Sequence, residues 1–168
     1  MLDSERDRIF GDWLAAHQGT LFKVVRAYAF EHADRQDLFQ EMAIQIWRSV
    51  DAYRGESSVK TWMYRIALNA AISWTRKQDR HHRGKQQLEI VDGLLAASAT
   101  EADPRVEWLY RQIAQLKDVD RSVALLMLDG FAYKEIAAIA GISEGNVGVK
   151  INRIKAVLTA QLAKETEL

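Results

Sequence analysis

The chain has 168 residues, of which 48% are apolar and 27% charged, and its formal net charge is zero. This composition supports a buried core and excludes the polar, highly charged class of disordered chains. Because the chain contains no cysteine, a disulfide framework and a cysteine-ligated zinc site are excluded as well.

The beginning of the chain is mixed in charge and lacks the basic start and apolar run of a signal peptide. The longest apolar stretches, such as residues 123–128, are far shorter than the roughly 20 residues that span a bilayer. We therefore expect a soluble, cytoplasmic protein that does not insert into a membrane.

Three segments in the first part of the chain carry apolar residues at helical spacing. The second repeats them at four-residue steps, and the third follows the turn-like residues 54–58. We predict three amphipathic helices in a first domain over residues 5–78. The apolar positions include Phe10, Trp13, Leu14, Leu21, Val24, Val25 and Tyr28, then Leu38, Met42, Ile46 and Val50, then Val59, Trp62, Met63, Ile66 and Ala70.

Residues 79–104 separate this segment from the next. They contain no aromatic residue, are rich in small and acidic residues towards the end, and finish at Pro104, the only proline. Since such long connections are uncommon inside a compact domain, we predict a flexible linker and a second domain over residues 105–163.

The second domain contains the pattern of a helix-turn-helix. Residues 133–140 form a short predicted helix, Gly141 supplies a left-handed turn, and Ser143 can cap a longer helix that runs to about residue 162. A helical hairpin that only packs is the alternative. The amides and cations of the second helix favour DNA, because they suit base edges and phosphates. No alternating strand pattern occurs, so we predict an all-α fold.

Basic residues are concentrated in two places on this neutral chain. Residues 60–85 hold seven basic residues and one acid, and residues 145–164 hold four basic residues and no acid. In residues 53–77 aromatic side chains alternate with these cations, a combination that suits single-stranded nucleic acid. Trp62 and Ile66 fit the apolar face and favour a core position, whereas Tyr53, Tyr64 and Trp74 fit that face less well. We therefore expect these last three rings to be more accessible.

No enzyme site is indicated. The four histidines form no metal-ligand pair, and neither a phosphate loop nor a nucleophile elbow is present. We expect no catalytic activity, metal or cofactor.

Taken together, these stretches resemble the extracytoplasmic-function (ECF) branch of the sigma-70 family. Residues 37–47 look like its polymerase-binding helix, residues 53–69 like its promoter-melting segment, and residues 125–155 like its promoter-reading domain. The resemblance implies an initiation factor that brings core RNA polymerase to promoter DNA and helps to open it. It also implies a regulating anti-sigma factor.

The resemblance implies three sets of site residues. For polymerase binding they are Asp37, Leu38, Gln40, Glu41, Gln45 and Trp47, although a polar stripe of this kind is usually only a solvated face. For the minus-ten element they are Tyr53, Arg54, Ser57, Ser58, Lys60, Trp62, Arg65, Asn69, Ser73, Arg76 and Lys77. For the minus-thirty-five element they are Tyr133, Ser143, Asn146, Lys150, Asn152, Arg153 and Lys155.

The chain departs from the family pattern at two points. Leu116 is followed by Lys117 rather than proline, and Gly148 and Val149 stand where a cation and a serine are usual. A helix-turn-helix regulator that acts without polymerase is the alternative interpretation, and an interaction module that binds an acidic protein is a third.

Overall fold

A computed structural model describes residues 1–81 and 103–167, and side chains except those of residues 80 and 81. Within these ranges the chain is helical and contains no strand, which confirms the all-α prediction. The helices are α1 (Asp3–Tyr28), α2 (His32–Ser49), α3 (Val59–His81), α4 (Pro104–Ala114), α5 (Asp118–Leu128), α6 (Tyr133–Ala140) and α7 (Glu144–Thr166).

The chain divides into two compact units, Met1–Asp103 and Pro104–Leu168. Most of the predicted linker, residues 82–102, lies outside the described residues. At its two ends, α3 continues to His81 and α4 begins at Pro104. Proline is well suited to the first position of a helix because its missing N–H would have no partner there.

The first unit is a three-helix arrangement in which α1, α2 and α3 each pack against the other two. A short 3-10 turn, Val50–Ala52, follows α2 and contacts α1 and α2. Helix α1 is interrupted at His17, whose backbone leaves helical geometry. The core consists of apolar side chains spaced by three or four residues on each helix, as the sequence predicts. They include Leu21, Val24, Tyr28, Leu38, Met42, Ile46, Met63, Ala67 and Ala71.

In the second unit α5 lies against α4, α6 and α7, and α6 packs on α7. The core contains Ile113, Leu126, Ile136, Val147 and Ile151. These side chains come from four helices, so the core fixes the position of α7 relative to the rest of the unit.

A buried arginine fastens the end of α4. Arg121 on α5 is only 8% exposed, and its guanidinium donates hydrogen bonds to the carbonyls of Ala114 (2.8 Å) and Leu116 (3.0 Å). The last carbonyls of a helix have no partner within the helix. Arg121 therefore stabilises the turn that joins α4 to α5.

Candidate nucleic-acid interface

The loop at residues 53–58 has a closed shape that its own side chains maintain. The Tyr53 hydroxyl donates a hydrogen bond of 2.6 Å to the carbonyl of Ser57 and so joins the two sides of the loop. Between them, Gly55 has a φ of 75°, in the left-handed region that glycine adopts without steric cost. Arg54 donates to the carbonyl of Asp51 at 3.2 Å. The loop is thus held before any ligand arrives.

Ser58 connects this loop to α3. Its hydroxyl accepts a hydrogen bond from the backbone amide of Thr61 at 3.1 Å and donates to the Thr61 hydroxyl at 3.0 Å. The first amides of a helix need such acceptors, so Ser58 is the N-cap of α3. Ser57 donates a weak bond of 3.4 Å to the carbonyl of Ser58.

An aromatic cluster of Trp13, Tyr53 and Trp62 packs beside the loop. The Tyr53 ring meets the Trp13 ring edge to face at a centroid distance of 5.2 Å and lies 5.5 Å from the Trp62 ring. The Trp62 indole donates to the Ser49 hydroxyl at 3.1 Å, and Ser49 donates to the carbonyl of Ile46 at 2.7 Å. All three rings are half-buried, so they combine packing with a partly accessible surface.

Beyond the loop, α3 presents a stripe of exposed polar and basic side chains. They recur at steps of three or four residues, which places them on one face of the helix. The stripe is about 18 Å long at 1.5 Å per residue. Lys60 lies near its start and is half-buried. The exposed members are Arg65, Asn69, Ser73, Arg76 and Lys77.

Two aromatic residues are placed differently from expectation. Tyr64 is fully buried and Trp74 is 8% exposed, so the prediction that these two rings are accessible is wrong. Residues 64, 67, 71 and 74 follow the 3.6-residue period of the inner face. The Trp74 indole also donates a hydrogen bond of 2.9 Å to the carboxylate of Asp37 on α2.

The polar stripe on α2 is mostly accessible but contains one core residue. Asp37 and Gln40 are exposed, and the Gln45 amide donates to the Glu41 carboxylate at 3.0 Å. Leu38, in contrast, is fully buried. The prediction that Leu38 contacts a partner directly is therefore corrected: Leu38 belongs to the core.

Trp47, the last predicted residue of this stripe, is half-buried at the end of α2. Its indole donates to the carboxylate of Asp7 at 2.7 Å, and the Arg6 guanidinium lies 4.6 Å from the ring centroid. Arg6 also forms an ion pair with Asp51. Hydrogen bonding to Arg6 and then its charge lower the pKa of Asp51, against the opposing effect of burial.

The turn between α6 and α7 has the chemistry that the sequence predicts. Gly141 has a φ of 72°, and its amide donates to the carbonyl of Ala137 at 2.9 Å. The Ser143 hydroxyl accepts a bond of 3.1 Å from the amide of Asn146 and caps α7. The helix continues to Thr166, a few residues beyond the expected end.

Most of the predicted DNA contacts on α6 and α7 are exposed. The exposed side chains are those of Tyr133, Ser143, Asn146, Asn152, Arg153 and Lys155. Gly148 faces the Tyr133 ring: a Cβ atom at this position would lie 3.6 Å from Tyr133 Cε2, an ordinary van der Waals distance.

Lys150 differs from the other predicted contacts on α7. Its ammonium group forms an ion pair of 2.6 Å with Asp120 on α5, and the two side chains are 24% and 17% exposed. In the structure, Lys150 therefore joins two helices of the second unit.

Arg6, Asp7, Trp13, Asp51 and Asp120 take part in these arrangements but are absent from the predicted site. Their partners lie 30 to 45 residues away along the chain for the polar pairs. Only Trp13 gave a signal in the sequence, as an apolar position of the first helix.

In residues 1–81 and 103–167 no three potential metal ligands are grouped as a metal site. None of the helices in these ranges has the length and hydropathy that a membrane span requires.

Two family descriptions match the chain in succession. Sigma-70 region 2 matches residues 13–81, and Sigma-70, region 4 matches residues 106–158. The first match contains the 53–58 loop and the α3 stripe, and the second contains the helix-turn-helix.

Curated relatives agree with this division. The ECF RNA polymerase sigma-E factor of Escherichia coli K12 is 31% identical over 134 residues, covering 73% of this chain and 70% of the relative. The RNA polymerase sigma factor YlaC of Bacillus subtilis is 27% identical over 139 residues, covering 79% of this chain and 79% of the relative.

Solved structures share the fold. The sigma factor RpoE of Bartonella quintana, in complex with the anti-sigma factor NepR, has a TM-score of 0.73 at 20% identity, with 93% of this chain and 98% of that chain covered. CnrH in complex with the cytosolic domain of CnrY has a TM-score of 0.67 at 24% identity, with coverages of 96% and 92%.

A helical unit with an exposed basic stripe, followed by a helix-turn-helix unit, defines a DNA-binding transcription factor. The chain belongs to the ECF branch of the sigma-70 family. It is an initiation factor that directs core RNA polymerase to promoter DNA, and the comparisons favour this function over that of a regulator acting without polymerase. The family consists of initiation factors rather than enzymes.

Proposed function

We propose that the Met1–Asp103 unit binds core polymerase and reads and opens the minus-ten element, and that the Pro104–Leu168 unit reads the minus-thirty-five element. The preformed 53–58 loop carries this proposal, because it adjoins the exposed α3 stripe within the unit that matches region 2. We further propose that residues 79–104 link the unit that reads the minus-ten element to the unit that reads the minus-thirty-five element. We also propose that the protein works in the cytoplasm, where it meets polymerase.

The loop supplies the site for a base that leaves the duplex. Flipping a base out of its stack costs a few kcal/mol, which a ready-made pocket can offset. The Tyr53 hydroxyl bond to Ser57 and the left-handed Gly55 fix the loop backbone. Tyr53 and Trp62 then provide ring surfaces, while Arg54 and Ser57 provide hydrogen-bonding groups at the rim.

The α3 stripe follows the opened strand away from the loop. Arg65, Arg76 and Lys77 contribute positive charge, and Asn69 and Ser73 contribute groups that hydrogen bond to bases or phosphates. Lys60 lies in the first turn of α3, close to the loop but outside the face that carries the stripe. Ser58 acts by capping α3, which sets the direction of the stripe.

Core polymerase binds the exposed side of α2. Gln40 is exposed, and the bonded pair of Glu41 and Gln45 extends the surface by one turn. Asp37 lies beside them and also holds the Trp74 indole of α3. Trp47 closes this surface at the end of α2.

The helix-turn-helix places α7 in the major groove of the minus-thirty-five element. Asn146 and Asn152 are able to read base edges, and Arg153 and Lys155 are able to bind base edges or phosphates. Tyr133 begins α6 and Ser143 caps α7, and we place phosphates at both helix starts. We assign Lys150 to holding α7 against α5, because Asp120 already occupies its ammonium group.

We propose that an anti-sigma factor regulates the chain. One structural relative, RpoE, was solved with the anti-sigma factor NepR, and the other, CnrH, was solved with the cytosolic domain of CnrY. The surface on α2 that binds polymerase is one that such an inhibitor would have to cover.

A charge deletion tests the minus-ten surface. Holoenzyme assembled from core polymerase and Arg65→Ala should bind promoter DNA more weakly, with a salt dependence reduced by about one phosphate contact. Arg8→Ala is the matched control, because Arg8 is 67% exposed on α1 and its ion pair is with Asp12 on the same helix. Equal losses in the two variants would contradict the assignment of the stripe.

A surface substitution tests the polymerase face. Gln40→Arg should weaken binding of the chain to core polymerase more than tenfold, equivalent to about 1.4 kcal/mol. Gln18→Arg introduces the same side chain at an exposed position of α1 and should bind as the wild type does. Unchanged binding by Gln40→Arg would remove α2 from the interface.

A further inference from the structure

The first part of α1 is a distinct structural segment. The interruption at His17, with φ of −128° and ψ of 16°, separates residues 3–16 from the rest of the helix. The buried residues of α1 all lie after this point, from Thr20 to Tyr28. Residues 3–16 therefore contribute little to the core of the three-helix unit, and their contacts have another role.

Those contacts converge on the turn and loop between α2 and α3. Trp13 meets the Tyr53 ring at 5.2 Å, and Arg6 pairs with Asp51 in the 3-10 turn that leads into the loop. Asp7 accepts the indole hydrogen bond of Trp47 at 2.7 Å, at the end of α2. The segment thus contacts the first residue of the loop and the residues just before it.

Tyr53 transmits this support to the loop. Its ring contacts those of both Trp13 and Trp62, and its hydroxyl closes the loop through the carbonyl of Ser57. The Trp62 indole is itself fixed by Ser49. With Trp13 removed, one side of the Tyr53 ring loses its neighbour, so the ring and the loop closure become free to move together.

We propose that Trp13 is a positioning residue for the 53–58 loop and that the Arg6–Asp51 ion pair assists it. The inference rests on the proposed function, in which this loop holds a flipped base. A recognition site must be held to about 0.5 Å to discriminate. The segment 3–16 therefore sets how strictly the loop selects its base, although it contacts no DNA in this mechanism.

A selectivity measurement separates positioning from general stability. A variant that is merely less stable lowers the active fraction for every DNA equally, so its preference among sequences stays unchanged. Loss of loop geometry lowers the preference itself. The readout is therefore the ratio of affinities for different bases at one position, rather than the total amount of DNA bound.

The probe is a pool of fork-junction duplexes with randomised bases in the single-stranded minus-ten region. Holoenzyme made from core polymerase and the full chain selects from this pool, and sequencing gives the preference at each position. A base that is read directly is discriminated by roughly five- to 150-fold. Trp13→Ala should reduce the strongest preference to less than about twofold, and Trp13→Phe should restore most of it.

Two further variants complete the experiment. Asp51→Asn breaks the ion pair with Arg6 without removing a ring, and it should reduce the same preference in part, which also covers the case in which Trp13→Ala fails to fold. Phe30→Ala is the control, since Phe30 is a 60% exposed aromatic residue of the same unit outside these contacts. It should select as the wild type does.

The outcomes are distinguishable. Wild-type preference retained by folded Trp13→Ala, or by Asp51→Asn where Trp13→Ala does not fold, would overturn the positioning role and leave the proposed function intact. A wild-type holoenzyme without any preference in the minus-ten region would overturn the proposed function, and this inference with it.

Discussion

The ion pair between Asp120 and Lys150 provides a quantitative test of the second unit. Pairs on an open surface contribute about 0.2–1 kcal/mol, whereas a hydrogen bond to a charged group with restricted solvent contributes about 1.5–3 kcal/mol. The two side chains are 17% and 24% exposed, and their atoms are 2.6 Å apart. We expect a coupling free energy of about 1.5 kcal/mol, between these two classes.

The perturbation is a double-mutant cycle of Asp120→Asn, Lys150→Met and the combined variant. Each single change leaves one charge without its partner, so each should lower the opening free energy of α5 and α7 by about 2 kcal/mol. The combined variant should lose about 1.5 kcal/mol less than the sum. Amide hydrogen exchange of peptides from these helices measures the opening directly. Losses that add within about 0.3 kcal/mol would refute the reasoning.

The same pair has a consequence for DNA binding. Because Asp120 occupies the ammonium group of Lys150, holoenzyme made with Lys150→Met should bind minus-thirty-five DNA with an unchanged salt dependence. Arg153→Met is the matched control on the same helix: Arg153 is exposed, and its loss should reduce the salt slope by about one. A reduced slope for Lys150→Met would return this residue to the DNA contacts.

Three other predictions follow from single groups. Ser143→Ala removes the side-chain cap of α7 and should lower the free energy of unfolding of the second unit by about 1 kcal/mol, measured by hydrogen exchange; no change would mean that the cap is redundant. Gly148→Ala should raise that free energy by up to about 1 kcal/mol, since the new methyl group meets the Tyr133 ring at an ordinary distance, and a loss would show that the contact is tighter. Arg6 lowers the pKa of Asp51 below 3.8, so their ion pair stabilises the fold fully above about pH 4 and is lost as the pH falls through the lowered pKa. In acid titrations, the difference in stability between wild type and Asp51→Asn should therefore shrink in this pH range. A difference that stays constant would contradict this prediction.

Local chemistry allowed much of the fold to be predicted from the sequence. Apolar spacing gave the helices, and the turn of the helix-turn-helix followed from Gly141 and Ser143, whose conformational preference and capping bond involve only near neighbours. The error at Tyr64 and Trp74 has a physical reason as well. The alternation of rings and cations suggests an accessible surface, whereas the helical period places both rings inside, and the burial follows the helical period.

The support of the candidate site could not be predicted in the same way. The contacts of Arg6 with Asp51, of Trp13 with Tyr53 and of Trp74 with Asp37 join residues that are 37 to 45 positions apart. Such pairs depend on how three helices pack, and single-sequence periodicity carries no information about them. The sequence therefore indicated which surfaces matter, while the structure shows how they are held.

Promoter-specific transcription by core RNA polymerase depends on this chain. The direct measurement is run-off transcription on a pool of promoter fragments with core polymerase alone, with the chain added, and with Gln40→Arg added. We expect specific transcripts only when the chain is added, and strongly reduced transcripts with Gln40→Arg. Specific binding of duplex DNA by the chain alone, without any polymerase-dependent transcript, would contradict it.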